Sequence, residues 1–113
     1  MKGTANWAAE QSAERYLRRR GLKTLDRNYR TNRGEIDLVM RQGKELVFVE
    51  VRHRGDRRYG TAAATVGPQK QRRLLAAAQH YLQRHGEQPC RFDVVVFDGD
   101  ADPEWIPDAF QAD

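Results

Sequence analysis

The 113-residue sequence has a single cysteine, Cys90, so no disulfide within the chain can staple it. Its longest uninterrupted apolar run, Leu74 to Ala78, falls far short of the ~20 residues a membrane-spanning helix needs. The opening residues MKGTANWAAEQ hold no apolar stretch of the kind a secretory leader carries. A cytoplasmic protein without a membrane partner is therefore expected. No repeat, low-complexity tract or glycine-rich phosphate loop is present. His53, His80 and His85 have no metal-ligand spacing with Cys90, which speaks against a zinc site. Residues 93–113 contain no Lys or Arg at all, but seven acids.

What is present is charge and short apolar segments. Charged residues make up 32% and hydrophobic residues 39%, the latter in ordered runs that favour a folded chain over a disordered one. The length suits one domain, 1–113, with residues 98–113 expected as an acidic C-terminal tail in which Trp105, Ile106 and Phe110 are candidate anchors. The net charge of +4 hides an excess of +11 over residues 1–92. Most of the basic residues are arginine, whose planar fork of donors suits phosphate. Nucleic acid is the partner this balance favours, although an arginine-rich but merely soluble protein has the same composition.

Ala5, Ala9, Ala13, Tyr16 and Leu17 fall on one face of a helix expected over 5–20, stopped by Gly21. Strands are expected over 23–30, 35–41 and 45–53, the last two joined by the short turn Gln42-Gly43-Lys44. In the third strand Val47, Val49 and Val51 point one way, and Leu46, Phe48, Glu50 and Arg52 the other. A strand apolar on both sides is central and covered on both faces. Residues 54–66 read as a loop, 68–85 as a helix with Leu74, Ala77, Ala78, Tyr81 and Leu82 on its buried face, and 90–97 as a fourth strand. The order α-β-β-β-α-β implies a small α/β sandwich: an antiparallel meander, then a helical crossover into a mixed sheet.

Two carboxylates interrupt apolar strands. Asp37 sits within Ile36-Asp37-Leu38-Val39 and Glu50 within Phe48-Val49-Glu50-Val51, at nearly equal distances from the turn, so they should meet across the ladder. Buried carboxylates are costly unless paired or metal-bound. Arg52 shares the face of Glu50, and Lys70 can point back from the first turn of the second helix, where a cation opposes the helix dipole. Glu10, at the edge of the first helix's buried face, is either a third carboxylate or a surface residue; Glu14 is read as solvated. Asp93 is read as a structural acceptor and Cys90 as a core residue. The residues alone leave two readings of the pair: an ion-paired cluster that fixes strand register, or a site where a divalent cation relieves the repulsion and faces a phosphate.

Glu10 with Tyr16-Leu17, Asn28-Tyr29-Arg30, Gly34-Glu35-Ile36-Asp37-Leu38, Val47-Phe48-Val49-Glu50-Val51-Arg52, Lys70-Gln71-Arg72-Arg73-Leu74 and Arg91-Phe92-Asp93-Val94-Val95 together resemble the bacterial YraN family, from about residue 8 to 110. The resemblance implies a restriction-endonuclease-like three-layer fold, similar to Holliday-junction resolvases and other PD-(D/E)xK nucleases. It implies that Asp37 and Glu50 are the two motif carboxylates, that Glu10 completes the metal site, and that Arg52 stands where the nuclease motif has lysine. The implied activity is a Mg²⁺- or Mn²⁺-dependent endonuclease acting on DNA, branched DNA included. Glu10, Asp37, Glu50 and the Val51 carbonyl would hold the metal, and Arg52 and Lys70 would neutralise developing charge. Arg54, Arg57, Arg58, Arg72 and Arg73 are candidate nucleic-acid contacts, and a homodimer would place one site on each strand of a duplex. Two rivals stand beside this: a nucleic-acid-binding module that has kept the fold without the reaction, since arginine stays protonated, and a protein-interaction adaptor using the acidic tail or a sheet edge.

Overall fold

The computed structural model describes residues 4–53, 66–98 and 102–111, with side chains from Trp7 onward. The elements are α1 (Thr4–Arg18), β1 (Lys23–Arg30), β2 (Glu35–Gln42), β3 (Glu45–His53), α2 (Pro68–His85), β4 (Cys90–Phe97) and β5 (Glu104–Phe110). One five-stranded sheet runs in the order β1-β2-β3-β4-β5. Every neighbouring pair is antiparallel except β3 and β4, which are parallel and joined through α2. The expected meander and crossover are thus present, in an α/β fold with two helices.

Side chains alternating along the strands divide the core in two. Ala13 and Leu17 of α1 pack with Leu38, Met40, Val47 and Val49. Leu74, Ala77 and Tyr81 of α2 pack with Val39, Leu46, Phe48 and Val94. β3 supplies both clusters in strict alternation, as its sequence requires of a central strand. α1 ends at Arg18, short of the expected 20, because the Arg20 N–H turns back to the Leu17 carbonyl at 2.9 Å and Gly21 takes a φ of 98°. Burial pushes the Cys90 thiol up from its ordinary range, so it stays protonated at neutral pH beside the core it partly joins.

Two expectations are corrected. Residues 104–110 are a fifth strand and not a free acidic tail. Pro107 and two acids, Glu104 and Asp108, hide it in the sequence, but β5 is an edge strand, where a missing N–H is tolerated. Asp93 fastens it: its carboxylate accepts the indole N–H of Trp105 and the backbone N–H of Asp108, each at 2.9 Å, while Arg91 grips the same group. Phe110 stacks on Phe92 with ring centroids 5.0 Å apart.

Glu14 is the second correction, for it is buried and not solvated. Its carboxylate accepts hydrogen bonds from Arg27 Nε at 2.9 Å and Nη2 at 2.6 Å and from the Thr24 hydroxyl at 2.6 Å, which ties α1 to β1. The Arg27 hydrogen bonds hold its pKa below the usual 4.5 against the opposing effect of burial. A depressed carboxylate pKa contributes stability that is present above the unfolded-state value and lost as pH falls through the folded one. Urea midpoints at pH 7 and pH 3 should therefore converge in Glu14→Gln relative to the native chain. Because Arg27 is largely exposed, the acid-sensitive part is expected to be only about 1 kcal/mol.

The turn between β1 and β2 sets where α2 lies. Thr31 closes it, accepting the Gly34 and Arg33 N–H groups on its hydroxyl at 3.1 Å while its own N–H reaches the Gly34 carbonyl at 2.8 Å. Gly34 lies so close to α2 that a Cβ there would fall on the Arg73 carbonyl. Gly34→Ala must push backbone against backbone and should destabilise by about 3 kcal/mol or more, beyond ordinary overpacking. Thermal unfolding checks this, and a Tm equal to that of the native chain would contradict the close approach.

Candidate functional site

The register of β2 on β3 brings the two interrupting carboxylates together. Leu38 is opposite Val49, so the next residues outward are Asp37 and Glu50. The Val51 N–H donates to Asp37 Oδ2 at 2.8 Å, which crosses the same step of the ladder. Here the strand alternation also breaks. Ile36 joins the α2-side core, whereas Leu38, two residues on, joins the α1-side core. In a regular strand both would share one face. The neighbouring β1 is irregular at the same level: the pairs Arg27–Leu38 and Tyr29–Ile36 flank Asn28, whose φ is 52°.

Asp37 and Glu50 open onto one cavity of about 610 Å³ at the end of the sheet. α1 contributes Ala9 and Glu10 to its wall, the end of β1 contributes Arg30, the β1–β2 turn contributes Thr31 and Gly34, and α2 contributes Lys70 and Arg73. Glu35, Val51, Arg52 and His53 complete the described lining. Glu10, Asp37 and Glu50 are 5%, 3% and 3% exposed, values rare for carboxylates that do not face a specific partner. Lys70 Nζ lies 3.4 Å and Arg52 Nη1 3.6 Å from Glu50 Oε2. Arg30 Nε lies 3.4 Å from Glu35 Oε2. Four carboxylates and four Lys or Arg side chains thus share the wall, and the cations offset the desolvation of the acids.

The residues singled out from the sequence divide as follows. Glu10, Asp37, Glu50, Val51, Arg52, Lys70 and Arg73 line this cavity. Arg72 is exposed on α2 and does not. Arg54, Arg57 and Arg58 lie outside the described residues. Among the described residues, no group of three or more His, Cys, Asp or Glu side chains is gathered as metal ligands, so Glu10 shares the cavity with Asp37 and Glu50 without forming a closed three-carboxylate set. Two carboxylates beside open space still suit Mg²⁺, which takes one or two carboxylates and keeps places for water and phosphate. Sequence reasoning missed Arg30 and Glu35. Their signal was the antiparallel pairing of the residues flanking a tight Thr-Asn-Arg-Gly turn, just ahead of Asp37.

The Val51 bond separates two roles of Asp37. Asp37→Ala leaves the Val51 N–H without that acceptor and should cost about 1–3 kcal/mol. Asp37→Asn keeps a carbonyl oxygen and should unfold within about 1 kcal/mol of the native chain. Urea denaturation of both variants checks the difference, and equal losses would place the Asp37 contribution elsewhere.

The comparisons with known proteins are consistent along the whole site. A family model described as "Uncharacterised protein family UPF0102" matches residues 9–97, a span that holds all of Glu10, Asp37, Glu50, Val51, Arg52 and Lys70. The chain is 51% identical over 112 residues to a UPF0102 protein of Janthinobacterium sp. (strain Marseille), covering 98% of this chain and 90% of that one. It is 54% identical over 106 residues to a UPF0102 protein of Methylobacillus flagellatus, covering 92% and 94%. A UPF0102 protein of Ralstonia nicotianae is 58% identical over 109 residues, covering 91% and 83%. This chain belongs to the UPF0102 family, which is the YraN family.

Proposed function

We propose that the protein is a metal-dependent endonuclease that hydrolyses phosphodiester bonds in DNA, branched DNA among its substrates. The observation that carries this reading is the burial of Asp37 and Glu50 side by side on the wall of an open, cation-rimmed cavity. Asp37 and Glu50, with Glu10 and the Val51 carbonyl nearby, would hold Mg²⁺ or Mn²⁺. Such an ion supplies Lewis-acid stabilisation and a more acidic water. The chain's own groups do the rest. Arg52 and Lys70 face the space in front of Glu50 and balance the charge that builds on a phosphate in the transition state. Arg30 and Arg73, on the same wall, hold the flanking backbone in place. In the reaction a water oxygen bonds to phosphorus, one ester P–O bond breaks, and the water proton ends on the leaving oxygen.

A specific observation supports a second reading. Arg52 stands at the rim where a lysine could shed its proton, and a guanidinium cannot. A binding module without strand scission follows if no other group takes that proton. A homodimer, with one site per strand, belongs to the same proposal. No helix among the described residues is long and apolar enough to cross a membrane.

Cleavage of labelled linear and branched DNA with Mg²⁺, Mn²⁺ or EDTA decides between the readings. The nuclease reading expects metal-dependent nicks that fall at least about 100-fold in Asp37→Asn and Glu50→Gln, the scale of losing a metal-site contribution. Undiminished cutting by these variants overturns the site. Salt-sensitive binding with no nicks in either metal supports the module instead.

A further inference from the structure

A second hollow, of about 470 Å³, adjoins the carboxylate cavity. One wall is the β1–β2 turn and the other the outer face of α2, and Arg30 and Thr31 belong to both hollows. Its chemistry differs from that of the cavity. Among the described residues no carboxylate lines it, so it is not built for a metal ion. It carries Arg30 and Arg33 on the turn, and Gln79, His80 and Gln83 on the helix.

We propose that this groove holds an unpaired strand of DNA leading from the carboxylate cavity, an inference that rests on the nuclease reading for its choice of ligand. Four features point there. Arg30 is engaged by Glu35, but Arg33 is exposed and makes no ion pair among the described residues, leaving its fork for a phosphate. The turn that presents Arg33 is rigid, closed by the Thr31 hydroxyl and wedged by Gly34 against the Arg73 backbone. The His80 ring is exposed yet fixed, because its Nδ1 is hydrogen-bonded to the Tyr29 hydroxyl at 2.6 Å, and Tyr29 is itself held edge-on by Tyr81. A fixed, exposed ring is a stacking platform for a base. Gln79 and Gln83, one helical turn apart, offer amides that donate to and accept from base edges.

Size selects the strand state. A hollow of this volume matches a small-molecule pocket and takes a nucleotide-sized segment, not a double helix. Paired bases also keep their edges and faces from the His80 ring and the two amides. The groove therefore reads a single strand, and its cation meets the backbone while its ring and amides meet the base.

Fluorescence anisotropy in EDTA, with a blunt DNA hairpin and the same hairpin bearing an oligothymidine overhang, tests the groove without cutting. The native chain should bind the overhang substrate more tightly. Arg33→Glu and the double variant Gln79→Ala/Gln83→Ala, all exposed positions outside the carboxylate cavity, should each remove that advantage by about tenfold while blunt binding changes little. Arg33→Ala should flatten the salt dependence on the overhang substrate by about 0.7 in log–log slope, the value of one lost phosphate contact on a single strand. Equal binding of both substrates by the native chain, or an overhang advantage that survives in the variants, overturns the groove and leaves the nuclease reading to its own cleavage assay. An overhang advantage that the variants lose, in a protein that cuts nothing with either metal, upholds the groove and overturns the nuclease. Absence of DNA binding in EDTA overturns the groove and leaves the nuclease reading to the cleavage assay with Mg²⁺ or Mn²⁺.

Discussion

The structure turns on the cost of placing carboxylates out of water at the rim of a sheet. Moving one carboxylate into a protein interior costs several kcal/mol unless partners compensate, and Glu10, Asp37 and Glu50 are all buried around one cavity. Compensation comes from separate parts of the chain: the Val51 N–H on β3, Lys70 on α2 and Arg52 at the end of β3. The Val51 bond to Asp37 needs β2 paired with β3, and the Lys70 contact with Glu50 needs the crossover that carries α2. The fold is in that sense a device for assembling opposite charges at one end of a sheet whose two faces are largely apolar.

Two local departures from regular geometry do the placing. The alternation of β2 breaks at Asp37, with Ile36 and Leu38 sent to opposite faces, level with an Asn28 in the left-handed region. An unbroken strand would commit Asp37 to one face. The break lets it sit between the layer under α1 and the layer under α2, where both helices reach. The second departure is the bare backbone of Gly34, which admits the Arg73 carbonyl closely enough to bring the start of α2 over the carboxylates. Irregularity of this kind at a site fits the general rule that bulges re-aim side chains where a function needs them.

Much of this was legible in the sequence, and the reasons differ by residue. The two-sided apolar character of Leu46-Val47-Phe48-Val49 marked β3 as central, because only a strand covered on both faces tolerates it. The short turn near Gly43 set the register, and register alone placed Asp37 beside Glu50. β5 was hidden because Pro107 and Asp108 separate Trp105 and Ile106 from Phe110. It is held less by strand propensity than by the long-range acceptor Asp93, which no local pattern reveals. Glu14 was misread for a related reason. Its position on the α1 wheel is peripheral, and its burial comes from Arg27 and Thr24 on a different element. Arg30 and Glu35 entered the cavity wall through the pairing of β1 with β2 and not through any motif of their own.

Asp93 and Glu50 are both buried acids, and their surroundings differ in what they face. Asp93 is gripped at 2.9 Å by Arg91 Nε, by the Trp105 indole and by the Asp108 N–H, from three directions, with Phe92 and Phe110 closing over the strand pair beside it. That carboxylate has its lone pairs committed to these donors. The cations beside Glu50 stand at 3.4 and 3.6 Å, at the far edge of hydrogen bonding, and they are themselves about a third exposed on an open wall. Both cations balance the Glu50 charge on the cavity wall. The same residue chemistry therefore serves as a rivet on one side of the sheet and lines an open, cation-rimmed cavity at its end.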